Sequence, residues 1–441
     1  MSINFLCFLL LTLADAALSE ETLPNKLTIE QAKEIAISKN ANLASRKSDL
    51  DIAIARKGRA SSGMYPTIEG RLGSETSLNT QSNENDNSAK FAYLQATMNI
   101  YRGGLDIAKK NLSNLETKKL QIVYESEKLI LENAVEVAFA NLLFTRDLID
   151  IKTRFIKINE DQKALARQIA SRGSGSQSDV VEFDLRAIEL SSELSQIQQD
   201  YLATLIQLKL LIGENIAKNI IPTGDLPHLH LHGSLKDYIN TGLKDTPSLT
   251  VSSLDLEMAQ HQIASAQSRW LPKVDFEGKF GILPNETTKS SAQMNSSFAV
   301  VASWEIFAGF DSTYELQERR AEKERADFVL QGNISQMMAD VETRYNELVA
   351  IQARSDLEKN NILVAKNYYD LIYADFKRGY KNSGDYSAAA EKLYNSEVRR
   401  KRLDLEFLEK KAALENRIGR KVASISMKDI PLIDEQKAKR P

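Results

Sequence analysis

The sequence predicts a mainly α-helical chain of long coiled-coil helices, interrupted by two pairs of β-strands, and three observations carry that prediction. First, the chain is written twice: Pro66 and Pro272, Gly103 and Gly309, Gly173 and Gly379, and Gly213 and Gly419 are each 206 positions apart (272 − 66, and likewise for the others). Second, residues 104–171 hold no proline and no glycine after Gly104, enough helix to run about 100 Å. Third, between the first helix and this rod of each copy the hydrophobic period changes from helical to alternating. The absence of insertions between landmarks means that the two copies have matched lengths, as parts of one assembly would.

Composition narrows the class. With 441 residues, 42% hydrophobic, 27% charged and 9 prolines, the chain is ordered and long enough for two or more domains. A net charge of −3 gives no electrostatic footprint for nucleic acid. The basic cluster Arg399, Arg400, Lys401 and Arg402 is interleaved with Glu397, Asp404 and Glu406, as on a solvated helix face.

Residues 1–16 read as a cleavable signal peptide: an apolar run over 5–13, then small residues at Ala14 and Ala16 that suit cleavage after Ala16. The usual basic start is missing, since no Lys or Arg occurs in residues 1–4. Cys7, the only cysteine, lies inside the apolar run and reads as packing filler rather than a lipid anchor. After cleavage the chain would hold no thiol and need no disulfide. No later window supplies the roughly eighteen apolar residues of a membrane-spanning helix.

The first copy, residues 17–226, begins with a helical stretch over 29–59. Strands follow at 64–72 and 91–101, joined by a Ser- and Asn-rich loop. The rod 104–171 carries a seam of Ala134, Val137, Asn141, Phe144, Leu148, Ile151, Phe155, Ile158, Gln162, Leu165 and Ile169, in steps of three and four. A helix over 180–212 completes the copy. The second copy, residues 227–421, repeats the order: a helix through 255–269 with its lead-in, strands 272–283 and 297–307, rod 310–377 and helix 388–418. Its rod repeats the seam at Ile334, Met338, Val341, Tyr345 and Leu348, and resumes it at Val364, Tyr368 and Leu371. Residues 422–441 are a C-terminal tail.

The strands have one apolar and one polar face. Phe298, Val300, Ala302, Trp304 and Ile306 oppose Ser297, Ser303 and Glu305, and Ala92, Leu94, Ala96, Met98 and Ile100 oppose Gln95, Thr97 and Asn99. About ten residues of this alternation suit a transmembrane β-strand, although a half-buried soluble sheet reads similarly. Four strands cannot close a barrel, and lipid does not tolerate an open edge. Three copies would supply twelve strands and close every edge.

The duplicated order of elements resembles the TolC family of outer membrane efflux proteins. The motif YRGG at 101–104 with FAGF at 307–310 carries the likeness, as do the openings LTIEQAKEIAISKNANL from Leu27 and LKDYINTGLKDTPSL from Leu235. It extends from about Leu27 to Arg420. The resemblance implies a homotrimer whose long helices form a periplasmic α-barrel and whose four strands per chain join a 12-stranded β-barrel in outer membrane lipid. It also implies docking by a periplasmic adaptor protein and an inner-membrane pump. The strand-to-helix turn motif would be Tyr101, Gly103 and Gly104, with Phe307 and Gly309.

At the far turns Arg172 and Arg378 precede Gly173 and Gly379, which can take a positive φ, and Asp179 and Asp385 sit where a carboxylate can cap the returning helix. The resemblance makes these turns the periplasmic tips, a closed iris held by acidic rings and salt bridges. Asp385 matches the acidic-ring position, whereas Ala388 stands where a second acidic residue can occur. Lys381 could pair with Asp179 across the tip, although exposed pairs are often idle, and simple capping by both aspartates is the plainer reading.

Little points to catalysis. His228, His230 and His232 alternate in the linker, but without a fourth ligand nearby they read as an ordinary linker, with no metal. No nucleotide-binding or nucleophile-elbow motif is present, and no cofactor is expected. The sequence therefore predicts a non-enzymatic outer-membrane duct for efflux or type I secretion. A soluble coiled-coil scaffold is the alternative, and a porin working without partners is the nearer rival.

Overall fold

The computed structural model describes residues 26–77, 87–173, 176–213, 220–227, 230–283 and 294–422. The predicted signal peptide 1–16 with Cys7, His228, and the tail beyond residue 422 lie outside the described residues. In order, the elements are β1 (Lys26–Leu27), α1 (Ile29–Lys39), α2 (Ala41–Ser61), β2 (Thr67–Ser77), β3 (Asn87–Arg102), α3 (Leu105–Ser171) and α4 (Gln177–Ile212). They continue as β4 (Ile221–Pro222), α5 (Leu235–Asp245), α6 (Pro247–Gln267), β5 (Lys273–Ile282), β6 (Met294–Ser303), α7 (Asp311–Lys377) and α8 (Ser383–Ile418).

Each of α5, α6, α7 and α8 starts 206 residues after α1, α2, α3 and α4 respectively (235 − 29, and likewise), and the lengths match at 11, 21, 67 and 36 residues. The glycines that close these helices repeat in conformation as well as in position: φ is 75° and 79° at Gly173 and Gly379, and 71° and 80° at Gly213 and Gly419. The duplication is therefore carried down to the backbone torsions.

The first helical stretch of each copy is two helices, not the single one expected. Asn40 breaks the first: its backbone is extended and its side-chain oxygen accepts from Leu43 N at 3.0 Å, an N-cap for α2. In the second copy Pro247 opens α6, and the residue before a proline is held extended, as Thr246 is at φ −62° and ψ 118°. Both shorter partners of the rods begin earlier than expected, at Gln177 rather than 180 and at Ser383 rather than 388. In each case a polar cap, Ser176 or Asn382, starts the helix before the first apolar residue does.

The four long strands form one antiparallel sheet in the order β2-β3-β5-β6. Residues 64–66 of the first predicted strand are not in the sheet, because Ser62–Met64 is a 3₁₀ turn and Pro66 has no N–H to donate. β2 and β3 instead extend into the predicted loop, through the pairs Ser74↔Lys90 to Ser77↔Asn87. β6 stops at Ser303, short of the expected residue 307, because its partner β5 begins at Lys273, opposite Ser303. Among the described residues, no strand lies beside residues 304–307.

Contacts group the chain into two compact units, residues 1–39 with 134–227 and 358–405, and residues 40–133 with 228–357 and 406–441. Each takes segments from both sequence copies. In the first unit, α3 packs against both α4 and α8, and α8 packs against α7. The buried Lys152 on α3 pairs with Glu193 on α4 and lies 3.8 Å from the centre of the Tyr394 ring on α8. Arg154 and Glu397 join α3 to α8 at 2.9 Å, and Arg399 and Glu358 join α8 to α7 at 3.1 Å. The second unit holds the sheet. There Tyr238 on α5 packs on Tyr345 of α7 with ring centres 5.4 Å apart and donates to His232 O at 2.6 Å. Burial pushes the Tyr238 hydroxyl up to about 12.

The cap at the first break is testable. Asn40→Ala is expected to cost about 1 kcal/mol, read as a lower midpoint of thermal unfolding followed by circular dichroism of the purified protein.

Candidate functional site

Two sets of residues single themselves out, one in each compact unit. In the first unit they surround the turns α3–α4 and α7–α8. The rod α7 ends where Gly379 N donates to Phe376 O at 3.0 Å and Tyr380 N to Asp375 O at 3.0 Å, a left-handed cap that a glycine permits. Arg172 and Arg378 are exposed beside these turns.

The two aspartates have different roles from those expected. Ser176 and Asn382 cap the returning helices: Ser178 N donates to Ser176 Oγ at 3.1 Å, and Asp385 N to Asn382 Oδ1 at 2.8 Å. Asp179 instead reaches across to the other copy, where Ser383 Oγ lies 2.6 Å from Asp179 Oδ1 and 2.5 Å from Glu182 Oε2. Ser383 N also donates to Asp179, at 3.4 Å, so Asp179 holds the first turn of α8. Lys381 pairs with Asp385, four residues on, at 3.4 Å and not with Asp179. The hydroxyl and N–H of Ser383 already occupy Asp179, and Asp385 is only four residues from Lys381. Both members of the Lys381–Asp385 pair are exposed, so it adds little.

Beneath this link lies an aromatic core. Phe183 of α4 meets Phe376 of α7 edge to face, with centroids 6.1 Å apart, and Tyr386 of α8 lies 5.5 Å from Phe376. Val180, Ile372 and Ala389 close the cluster. The Tyr369 and Tyr386 hydroxyls bond to each other. Burial, with the Tyr369 bond next, pushes the Tyr386 hydroxyl far above the ordinary phenol range. Arg186 and Glu391 join α4 to α8 at 3.1 Å above it. Sequence reasoning missed Ser383, Glu182 and this core. The available signal was the aromatic density of the second copy: Tyr369, Phe376 and Tyr386 stand where the first copy has Lys163, Ala170 and Val180.

In the second unit the strand-to-helix turns differ between copies. Gly103, at φ 61°, is packed so closely that a Cβ would lie 2.6 Å from Ser268 O. Its counterpart Gly309, at φ 64°, has nothing within 4 Å of that position. Tyr101 is the last residue but one of β3, paired with Val274 after a bulge. Phe307 meets Phe310 edge to face with centroids 5.4 Å apart. Gly104 takes φ 84°, and Phe310, its counterpart, takes φ 67° despite its side chain. Arg269 gathers three carboxylates here: Asp311 at 2.6 Å, Glu315 at 2.8 Å and Glu305 at 3.7 Å. Hydrogen bonds to Glu315 and Asp311 raise its pKa further above the usual range.

Among the described residues no group of three or more His, Cys, Asp or Glu is placed to hold a metal ion, and no helix is long and apolar enough to cross a membrane. The latter says nothing of a β-barrel.

Residues 238–420 match the family profile of the outer membrane efflux proteins. No curated protein matches the chain. Several solved structures share its fold. The outer membrane protein VceC of Vibrio cholerae is 16% identical with a TM-score of 0.77, covering 89% of this chain and 96% of that one. The open-state MtrE outer membrane channel of Neisseria gonorrhoeae is 15% identical, with a TM-score of 0.76 and 89% of each chain covered. CusC, described in connection with transmembrane channel formation, is 12% identical with a TM-score of 0.79, covering 89% of this chain and 92% of that one.

Two predictions concern the tip. Ser383→Ala leaves Asp179 and Glu182 without the hydroxyl they share and is expected to cost about 1–3 kcal/mol, read as faster amide exchange in the first turn of α8. For Tyr386 the raised folded pKa means that stability is full below the unfolded phenol value near 10 and is lost as pH rises above it. Amide exchange around residues 366–389 is therefore expected to quicken as pH climbs past about 10, with a smaller increment in Tyr386→Phe.

Proposed function

We propose that this chain, with an outer membrane efflux protein sequence over residues 238–420 and the fold of TolC-family outer membrane channels, forms the outer-membrane exit duct of an efflux or secretion system. Three copies close a tube, cargo passes through it passively, and a periplasmic adaptor and an inner-membrane pump supply contact and energy from below.

The single observation that carries this reading is the pair of unpaired edges of the sheet, β2 and β6. Because the copies are equivalent at an offset of 206, the internal β3–β5 junction is a template for the junction between chains. β3 and β5 pair Thr97 with Glu277 and Gln95 with Lys279. Adding the offset to the first member and subtracting it from the second predicts Ser303 opposite Arg71 and Val301 opposite Gly73 of the next copy. The same operation gives residues 304–307 a strand partner and sets Gly309 against Ser62, as Gly103 is set against Ser268. The helices agree with it: Val364 and Leu371 are exposed on α7, and Val181, Leu185 and Ile188 on α4. The equivalents of Val364 and Leu371 on α3, Ile158 and Leu165, pack against the aromatic core. A coiled-coil scaffold would leave the apolar face of the sheet without a purpose.

Gating belongs to the tip, where α4 and α8 are joined by Asp179, Ser383 and the aromatic core. The iris opens when these two helices part.

Cysteines at positions 303 and 71 test the assembly. The two residues lie on opposite edges of one sheet, three strand spacings across, and Arg71 is level with Asn295 rather than Ser303 on β6; they are therefore well over about 14 Å apart, and no bridge forms within a chain. Oxidation of Ser303→Cys/Arg71→Cys is expected to give covalent dimers and trimers in outer-membrane fractions, and monomers alone would sink the proposal. For the gate, Asp179→Ala is expected to raise single-channel conductance in planar bilayers more than Asp385→Ala, whose partner is an exposed lysine. Equal conductance in both variants and the parent would remove the tip from the gate.

A further inference from the structure

The helices that lead into the strands, α2 and α6, carry opposite charge. α2 holds five basic and two acidic residues, a net of +3, whereas its counterpart α6 holds two acidic residues and no Lys or Arg, a net of −2. The rods reverse the order. Residues 105–121 of α3 hold four basic and two acidic residues, a net of +2, and the equivalent residues 311–327 of α7 hold four basic and six acidic, a net of −2. Within one chain α3 and α6 meet, and Lys119 Nζ donates to Asp255 Oδ1 at 2.7 Å. They run antiparallel, since Gly103, just before α3, lies against Ser268, just past α6, while Lys119 is further along α3 and Asp255 further back along α6.

Adding 206 to Lys119 and subtracting it from Asp255 gives Arg325 on α7 and Asp49 on α2, again a basic residue against an acidic one. That is not general: the same operation turns Arg154–Glu397, Lys401–Asp147 and Arg186–Glu391 into pairs without opposite charges. Seven residues, or about two helical turns, along each antiparallel helix stand Glu318 and Arg56, opposite in charge with the order exchanged. Arg56, Glu318 and Arg325 are exposed and make no ion pair among the described residues. Asp49 meets Arg46 at 3.6 Å in a pair about half exposed, with side chains at 46% and 51%. Ile52, between the two charged positions on α2, is 49% exposed.

We infer that α2 and the start of α7 form a charge-selected seam between chains, Arg325 of one chain against Asp49 of the next and Glu318 against Arg56, which accepts a second chain head to tail and refuses it in twofold contact. This rests on the reading of the chain as one protomer of a closed tube. A twofold dimer would set α2 on α2 or α7 on α7, like charge on like, whereas the head-to-tail contact sets −2 against +3 and is the one that closes into a ring. The sign reversal also tells the two junctions apart: α2 of another chain cannot replace α6 on α3, because both are net positive. Exposed pairs add little to stability, but their signs decide which encounters proceed.

Exchanging the charges tests the seam in the full chain. Arg325→Asp with Glu318→Arg sets like charges in the head-to-tail contact. It is expected to lower the trimer-to-monomer ratio of detergent extracts, sized by light scattering, at least about fivefold at low salt and by less at high salt. Adding Asp49→Arg and Arg56→Glu restores opposite charges and is expected to return the ratio to within about twofold of the parent. A reversed chain that assembles as well as the parent, or a full exchange that does not recover, overturns the seam. Contact is read separately with Arg325→Cys/Asp49→Cys and a short bis-maleimide, which is expected to give covalent dimers and trimers that neither single-cysteine variant gives. Bridges at 303 and 71 without links at 325 and 49 overturn the seam and leave the tube standing. Monomers alone at both pairs overturn both.

Discussion

A strand edge exposes a row of N–H and C=O groups, and hydrocarbon offers them no partner. This chain supplies four strands to one sheet and therefore two such edges, and in the proposed channel much else in the structure follows from the need to close them. The edges close only if β6 of one copy is set to pair with β2 of another in the register that β3 and β5 already use. That demands equivalence between the two halves, and the equivalence is kept from helix lengths to glycine torsions. In the proposed assembly an insertion in one copy alone would leave one column longer than its neighbour, and both rods count 67 residues.

Where the halves differ, the difference has a local use. At the tip the second copy contributes Phe376 and Tyr386 and the first contributes Phe183, so the core exists only where both copies meet. Asp179 of the first copy holds Ser383 of the second, while the corresponding Asp385 spends its charge on the exposed Lys381. Buried, hydrogen-bonded groups are costly to separate and exposed ion pairs are not. The joint between α4 and α8 therefore rests on the hydroxyl link and the rings rather than on the charges that the sequence made conspicuous. The strand-to-helix turns diverge in the same way: a buried glycine at 103, an open one at 309, and a phenylalanine where the first copy has its second glycine.

Much of the fold was legible in the residues. Period and the lack of helix breakers gave both rods to within a residue at either end, because nothing in 67 residues competes with helix. The strand faces were legible because alternation of Phe298, Val300 and Ala302 with Ser297 and Ser303 has only one pleated reading. Less legible were the ends. Asn40 and Pro247 each split one apparent helix in two, since a single capping or N–H-less residue outweighs a periodic pattern that runs on across it. β6 ended at Ser303 because a strand ends where its partner does, and among the described residues no strand lies beside residues 304–307.

By itself the sequence determined the duplication, the order of elements and the family likeness, all of which depend on spacing and period along one chain. Only the tertiary structure decided which side chains answer each other: Ser383 rather than Lys381 for Asp179, Lys381 for Asp385, and an exposed ring at Phe310 held in a glycine's conformation. Those choices depend on distances of a few ångströms between residues some 200 positions apart, and a hydrogen bond is won by whichever donor the packing brings nearest. Spacing along the chain carries no record of that competition.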